Sequence, residues 1–73
     1  MMYIRSHEGG ALVAEVSNSL AGKMMEEIPG YWQEKKFTNG TKKNCFVFDQ
    51  FCAYGNDLIK VYVHKGDYMS NEL

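Results

Sequence analysis

Four side chains in this sequence are of the types that bind metals or act as nucleophiles: Cys45, Cys52, His7 and His64. Their spacing follows neither a zinc-ligand pattern nor a cysteine–histidine catalytic pattern. Cys45 and Cys52 fall in one predicted strand at odd separation, which places them on opposite faces, so we expect two free thiols. The sequence predicts no metal site, no cofactor and no catalytic residues.

Lysines flank a predicted turn at Asn39-Gly40 and give one part of the chain a positive charge. These residues are Lys35, Lys36, Lys42 and Lys43. Residues 35–43 contain no acidic residue, although the chain has a formal net charge of −1. Such a tip would contact phosphates, with Trp32 near enough to stack on a base, or it would be a solvated turn whose lysines discourage strand-edge pairing. Because nucleic-acid-binding domains are usually basic overall, nucleic-acid binding is the alternative hypothesis.

Two predicted β-hairpins position these residues. The strand-like runs are Trp32–Thr38, Thr41–Tyr54 and Asp57–His64, with turns at Asn39-Gly40 and Gly55-Asn56. Asn-Gly between two strand-like runs favours a two-residue hairpin turn, because both central residues of that turn need positive φ. The pattern predicts an antiparallel meander.

Two-residue turns fix the register of this meander and sort its side chains onto two faces. They pair Val47 with Trp32 and Cys52 with Ile59. One face is then almost entirely apolar, and we expect it to pack against a helix. Its members are Phe37, Phe46, Phe48, Cys52, Ile59, Val61 and Val63.

The second face of the meander combines aromatic and charged residues. We expect Trp32, Phe51 and Tyr62 there. Asp49 is then directly opposite Tyr62 and diagonal to Lys60 across the strand pair. Exposed aromatic side chains rimmed by charge are typical of protein interfaces. The alternative is that a terminal segment covers these residues or that they are scattered. The five residues are the predicted site for a partner or for self-association.

The N-terminal third allows two interpretations. The first is a helix over Ala11–Ile28, ended by Pro29-Gly30. Its apolar stripe at successive i+4 positions is Leu12, Val16, Leu20, Met24 and Ile28. The second is a strand over Ala11–Val16 paired with Tyr3–Ser6 across two glycines, followed by a helix over Ser19–Ile28. The serines near position 18 favour a helix start there, but we expect the long helix because its stripe is continuous.

The expected fold class is α+β. Residues 1–73 should form a single two-layer domain, with one main helix packed on a three- to four-stranded antiparallel β-meander. The polar tail, about residues 69–73, is expected to fray. No apolar run approaches the roughly 18 residues of a membrane helix, and the N-terminus lacks a signal-peptide pattern. We therefore expect a cytoplasmic protein with no membrane partner.

Three functions fit these observations. The first is a small non-enzymatic protein-binding regulator or inhibitor that acts through the exposed aromatic face. The second is a nucleic-acid-binding accessory protein that uses the lysine-rich tip, and the third is a self-associating structural subunit. Small aromatic-rich chains without catalytic residues are typical of adaptors and inhibitors, many of them encoded by phages and mobile elements, although such an analogy rests on composition alone. An enzyme is not expected, because a thin core leaves little room for a closed pocket.

Overall fold

The computed structural model describes residues 1–72 of the chain. Its elements in chain order are β1 Met2–Arg5, β2 Leu12–Val16, α1 Asn18–Glu27, β3 Gly30–Lys36, β4 Lys42–Phe48, β5 Cys52–Gly55, β6 Lys60–Val63 and β7 Tyr68–Ser70. Five strands form one sheet in the order β2-β1-β7-β4-β3, while β5 and β6 form a separate hairpin. The strand pairs are antiparallel, and the predicted α+β class is confirmed.

The long N-terminal helix is wrong, and the strand-plus-helix alternative describes the structure. Strand β2 pairs antiparallel with β1. Gly9 and Gly10 connect them with φ of 78° and 69°, a backbone conformation that favours glycine. Helix α1 begins after Ser17, whose hydroxyl accepts a hydrogen bond from the Leu20 amide at 3.1 Å. The cap at Ser17 and the turn at the two glycines favour this arrangement over the long helix that the i+4 apolar stripe predicts. Leu12, the first residue of that stripe, is 46% exposed.

The β3–β4 register differs from the predicted one by a single position. The Phe37 amide donates to the Thr41 carbonyl at 2.8 Å and the Gly40 amide donates to the Phe37 carbonyl at 2.9 Å. Gly40 has φ of 86°, whereas Asn39 does not have positive φ. Residues 38–40 therefore form the loop, as in a β-turn followed by a left-handed glycine. Trp32 consequently pairs with Phe46 and not with Val47.

The predicted long strand over Thr41–Tyr54 is divided between the two sheets. Strand β4 ends at Phe48 and β5 begins at Cys52. The loop between β5 and β6 spans residues 56–59. In this loop the Asn56 side-chain oxygen accepts hydrogen bonds from the Leu58 and Ile59 amides at 2.9 and 3.0 Å. Cys52 therefore pairs with Val63 instead of Ile59.

The register of the β5–β6 hairpin differs from the predicted one by an even number of positions. Most of its residues therefore keep their predicted face of the sheet. Val61 and Val63 point inward, with exposures of 7% and 0%, as predicted. Ile59 belongs to the loop and is 64% exposed, so its predicted burial is wrong.

Strand β7 corrects the prediction of a frayed tail from residue 69. It lies between β1 and β4 in the middle of the sheet, and Met69 and Ser70 are 1% and 3% exposed. A turn at Gly66, with φ of 95°, brings the chain back into the sheet. The part of the predicted tail at position 73 lies outside the described residues.

The core lies on one face of the five-stranded sheet. Cross-strand pairing places Ile4, Met69 and Phe46 on that face. Helix α1 and the β5–β6 hairpin both contribute side chains to the cluster they form. Its buried members are Ile4, Val16, Ala21, Met24, Ile28, Phe46, Phe48, Val61, Val63 and Met69. At its rim, the Tyr54 hydroxyl donates a hydrogen bond to the Glu27 carboxylate of α1.

Helix α1 is ten residues long. Within residues 1–72, the structure contains no helix with the length and apolar character required to cross a bilayer.

Candidate functional site

The aromatic residues predicted to share one face lie in two separate places. Trp32 is on edge strand β3, on the same face as its partner Phe46, and their rings meet edge-to-face at 5.5 Å and 77°. Phe51 and Tyr62 lie instead at the β5–β6 hairpin, with ring centroids 6.5 Å apart. The predicted pairing of Trp32 with Val47 is wrong by one position, and that error reverses the face of Trp32.

Phe51, Tyr62 and His64 form a continuous group of rings, which we call the hairpin cluster. The Phe51 and His64 centroids are 5.0 Å apart. Phe51 is 56% exposed and Tyr62 is 52% exposed. Tyr62 and His64 point outward because they alternate with the buried Val61 and Val63 on β6. Alternation with Tyr62 along the predicted strand Asp57–His64 is the sequence signal that places His64 on this side.

A surface groove of about 450 Å³ lies beside the hairpin cluster. Tyr62, His64 and Val13 supply ring and aliphatic surface to it, and Val13 is 42% exposed. The remaining lining is polar. It comes from Ser6, His7, Glu8, Lys65 and Asp67. The groove therefore has a partly apolar wall and a polar rim.

Asp67 holds the base of this groove in place. Its side chain is nearly buried, at 4% exposure. One carboxylate oxygen accepts from the His7 amide at 3.1 Å and the other accepts from the His64 amide at 2.8 Å. Its own carbonyl accepts from the Phe48 amide at 2.8 Å. The carboxylate thus satisfies two backbone donors, and its bonds together with that of the carbonyl join three segments of the chain, which is a structural role.

Gly66 allows the histidine side of the groove to pack closely. A Cβ atom at this position would lie 2.8 Å from the His7 ring. The two histidines and Asp67 do not constitute a metal centre: within residues 1–72, no three His, Cys, Asp or Glu side chains are placed to hold an ion.

Asp49 and Lys60 do not form the predicted polar cluster with Tyr62. Ala53, not Asp49, is the residue opposite Tyr62. Asp49 follows the end of β4, where its amide donates to the Pro29 carbonyl at 2.9 Å. It lines a second groove, of about 440 Å³, together with Tyr31 and Val47. Lys60 pairs with Gly55, and strand alternation places it on the outward side of β6 with Tyr62.

The four lysines near the β3–β4 loop form two cross-strand pairs that point to opposite faces. Lys35 is opposite Lys43, and Lys36 is opposite Lys42. The Lys35 ammonium lies 4.6 Å from the centroid of the Tyr68 ring. The Lys43 ammonium lies 3.5 Å from the Glu72 carboxylate. The lysines therefore do not combine into one basic surface, and the Lys35–Lys43 pair already has neighbours that reduce its repulsion.

Cys45 and Cys52 are both free thiols. Cys45 is fully buried on β4, and this burial raises the pKa of its thiol, although nearby Lys35 and Ser70 act in the opposite direction. Cys52 is partly buried and packs against the core cluster from β5. A buried thiol with a raised pKa is a weak nucleophile, so Cys45 fits a packing role.

Comparison of this chain with known proteins found no match. No protein-family model matches the sequence, no curated protein matches it, and no solved structure matches the fold.

Proposed function

We propose that this chain is a small non-enzymatic protein-binding regulator or inhibitor, and that the hairpin cluster is its contact surface. The observation that carries the proposal is the mutual contact of Phe51, Tyr62 and His64 in a position where the two larger rings are more than half exposed. Rings in contact with each other present a continuous apolar surface to solvent. Such surfaces mark interaction sites more often than isolated exposed side chains do.

The energetics of aromatic side chains support a protein partner. A fully buried Phe or Tyr removes about 150–250 Å² from water. At about 25 cal/mol per Å², covering the exposed parts of Phe51 and Tyr62 would contribute a few kcal/mol to binding. Lys60 is exposed on the outward side of the same strand, and Glu8 and Lys65 lie across the adjoining groove. An aromatic centre with a charged rim has the anatomy of an interface hot spot.

The surface is also held in a fixed shape, which lowers the entropic cost of binding. Val63 anchors β6 in the core with 0% exposure. The Asp67 carboxylate fixes the backbone at His64 through a 2.8 Å hydrogen bond. Tyr62 on β6 and His64 just after it therefore project from backbone that is held in place at both Val63 and His64.

A capture experiment tests this function. The full chain is immobilised as wild type, as the double variant Phe51→Ala/Tyr62→Ala, and as Leu58→Ala. Leu58 is the matched control because it is 93% exposed on the same hairpin but outside the hairpin cluster. Loss of two hot-spot rings should weaken a specific complex by about 2 kcal/mol or more, a roughly 30-fold increase in Kd.

The expected result is a protein from the source cell that wild type and Leu58→Ala retain and the double variant loses. Circular dichroism should show that all three chains remain folded. Equal retention by all three would contradict the proposal. A complex with DNA or RNA that depends on Lys36 and Lys42 and weakens steeply with salt would favour the nucleic-acid alternative instead.

A further inference from the structure

Strand β3 is an edge of the five-stranded sheet. It spans seven residues, Gly30–Lys36, and pairs with β4 along its whole length without a register shift. Its other side has no neighbouring strand within residues 1–72. A long regular edge of this kind is a template for pairing with another chain.

The direction of the unpaired backbone groups follows from the hydrogen bonds at the two ends of the hairpin. The Phe37 amide donates to Thr41 on the neighbouring strand, and the Pro29 carbonyl accepts from Asp49. Bonding direction alternates along an antiparallel strand, so the odd-numbered residues of β3 bond to β4. The even-numbered residues direct their amides and carbonyls to the open edge. These are Gly30, Trp32, Glu34 and Lys36.

We propose that β3 pairs antiparallel with β3 of a second copy of this chain, around a two-fold axis at Gln33. This arrangement makes the two sheets continuous. It pairs every residue of β3: Gln33 with its own copy, Trp32 with Glu34, Tyr31 with Lys35, and Gly30 with Lys36. The even-numbered residues then exchange backbone hydrogen bonds, and Gln33 forms a non-hydrogen-bonded pair at the axis.

Charge and strand length select this register. A two-fold axis perpendicular to the sheet pairs residues of the same parity, so the neighbouring registers are centred on Glu34 or Trp32. Centring on Glu34 places two carboxylates directly opposite each other, which is destabilising. Centring on Trp32 moves Lys35 and Lys36 beyond the end of the partner strand. The register at Gln33 uses the whole strand and opposes no like charges.

Lysines on an edge usually discourage pairing, but here they meet compatible neighbours. Lys35 would face Tyr31 of the second copy, and Lys35 already lies over an aromatic ring, that of Tyr68, within its own chain. Lys36 would face Gly30, which has no side chain. A side chain at Gly30 would overlap the Val47 carbonyl and the Phe46 ring, so this space is built into the fold.

The same pairing accounts for the exposure of the large side chains on β3. Trp32 is 60% exposed and Tyr31 is 50% exposed. The Trp32 side chains of the two copies would be diagonal neighbours across the axis, within reach of each other. This interface uses the β3 edge and not the hairpin cluster, so it stands independently of the proposed function.

Cysteine cross-linking tests the register directly. Two residues in a non-hydrogen-bonded pair have Cα atoms about 4.5 Å apart, within the range that a disulfide spans. In a mild oxidising buffer, Gln33→Cys should form a covalent dimer in high yield. Glu34→Cys is the matched control, because position 34 faces Trp32 of the second copy. Wild type reports the background from Cys52. No covalent dimer of Gln33→Cys, or equal yields from positions 33 and 34, would overturn the proposal.

A charge substitution at the axis tests the dimer without oxidation. Gln33 is exposed, and Gln33→Lys places two ammonium groups opposite each other across the axis. Sedimentation equilibrium should show a concentration-dependent dimer for wild type and about a tenfold or greater increase in its Kd for Gln33→Lys. Gln50→Lys makes the same change at an exposed position outside β3 and should dimerise like wild type. A wild type that stays monomeric, or two variants that dimerise equally, would overturn the proposal.

Discussion

Asp67 holds together parts of the chain that are far apart in sequence. Its carboxylate caps the amide of His7, 60 positions away. Sequence patterns predict local caps such as Ser17, whose hydroxyl accepts from an amide three positions on. They carry no signal for a carboxylate that reaches another segment, because that contact exists only after the sheet has formed.

Replacing Asp67 should therefore be costly. Asp67→Ala leaves the partly buried amides of His7 and His64 without their charged acceptor, and we expect the free energy of unfolding to fall by about 2–4 kcal/mol. Asp57→Ala is the control, because Asp57 is exposed in the loop between β5 and β6. Urea denaturation of the two variants measures the difference. Equal stability would show that the Asp67 carboxylate does not hold these segments together.

The candidate site was partly predictable at the level of single residues. Phe51 and Tyr62 were predicted to share a surface, and the structure places their rings 6.5 Å apart. Trp32 was predicted to join them but lies beside Phe46. The difference is a register shift of one position, which moves a side chain to the other face of the sheet.

At the level of elements, the sequence located both hairpins but not the lengths of their loops. Asn39-Gly40 is at the turn, as predicted, but only its glycine has positive φ. At the second loop, the Asn56 side chain bonds to the amides of Leu58 and Ile59 and so extends the loop through residue 59. Loop length depends on such hydrogen bonds, which residue types alone do not determine.

Two substitutions in and beside β6 distinguish the observed register of the β5–β6 hairpin from the register expected from the sequence. Val63→Ala should lower the free energy of unfolding by about 1–3 kcal/mol, because Val63 is fully buried among the core side chains. Ile59→Ala should change it by no more than about 0.5 kcal/mol, since Ile59 is 64% exposed. Thermal or urea unfolding compares them. A loss at Ile59 as large as the loss at Val63 would mean that the hairpin is paired as the two-residue turn requires, because that register buries both side chains.

At the level of the whole molecule, the order of the strands in the five-stranded sheet could not be predicted from sequence patterns. Strand β7 is short, Tyr68–Ser70, and it lies between β1 and β4. Its polar neighbours in sequence are typical of a tail, and its place depends on pairing with strands from distant parts of the chain. Non-local pairing of this kind leaves no periodic signal in the sequence. Met24 and Ile28 belong to the same buried cluster as Phe48, and their burial was predictable because their apolar spacing is local.

The molecule as a whole presents two distinct surfaces with different expected uses. We propose that the β3 edge offers backbone hydrogen bonds to a second copy and that the hairpin cluster offers exposed rings to another protein. The two surfaces lie on different sheets. A dimer joined at β3 would therefore carry two copies of the hairpin cluster, and a partner with repeated sites would bind it more tightly than a monomer.

If the hairpin cluster contacts another protein, as we propose, site-specific photo-cross-linking in the source cell should capture that protein. Benzoyl-phenylalanine is placed at Tyr62 in one chain and at Leu58, the exposed control on the same hairpin, in another. We expect a discrete adduct with a different protein from position 62 and little or none from position 58. No adduct at position 62, or equal adducts at both positions, would contradict it.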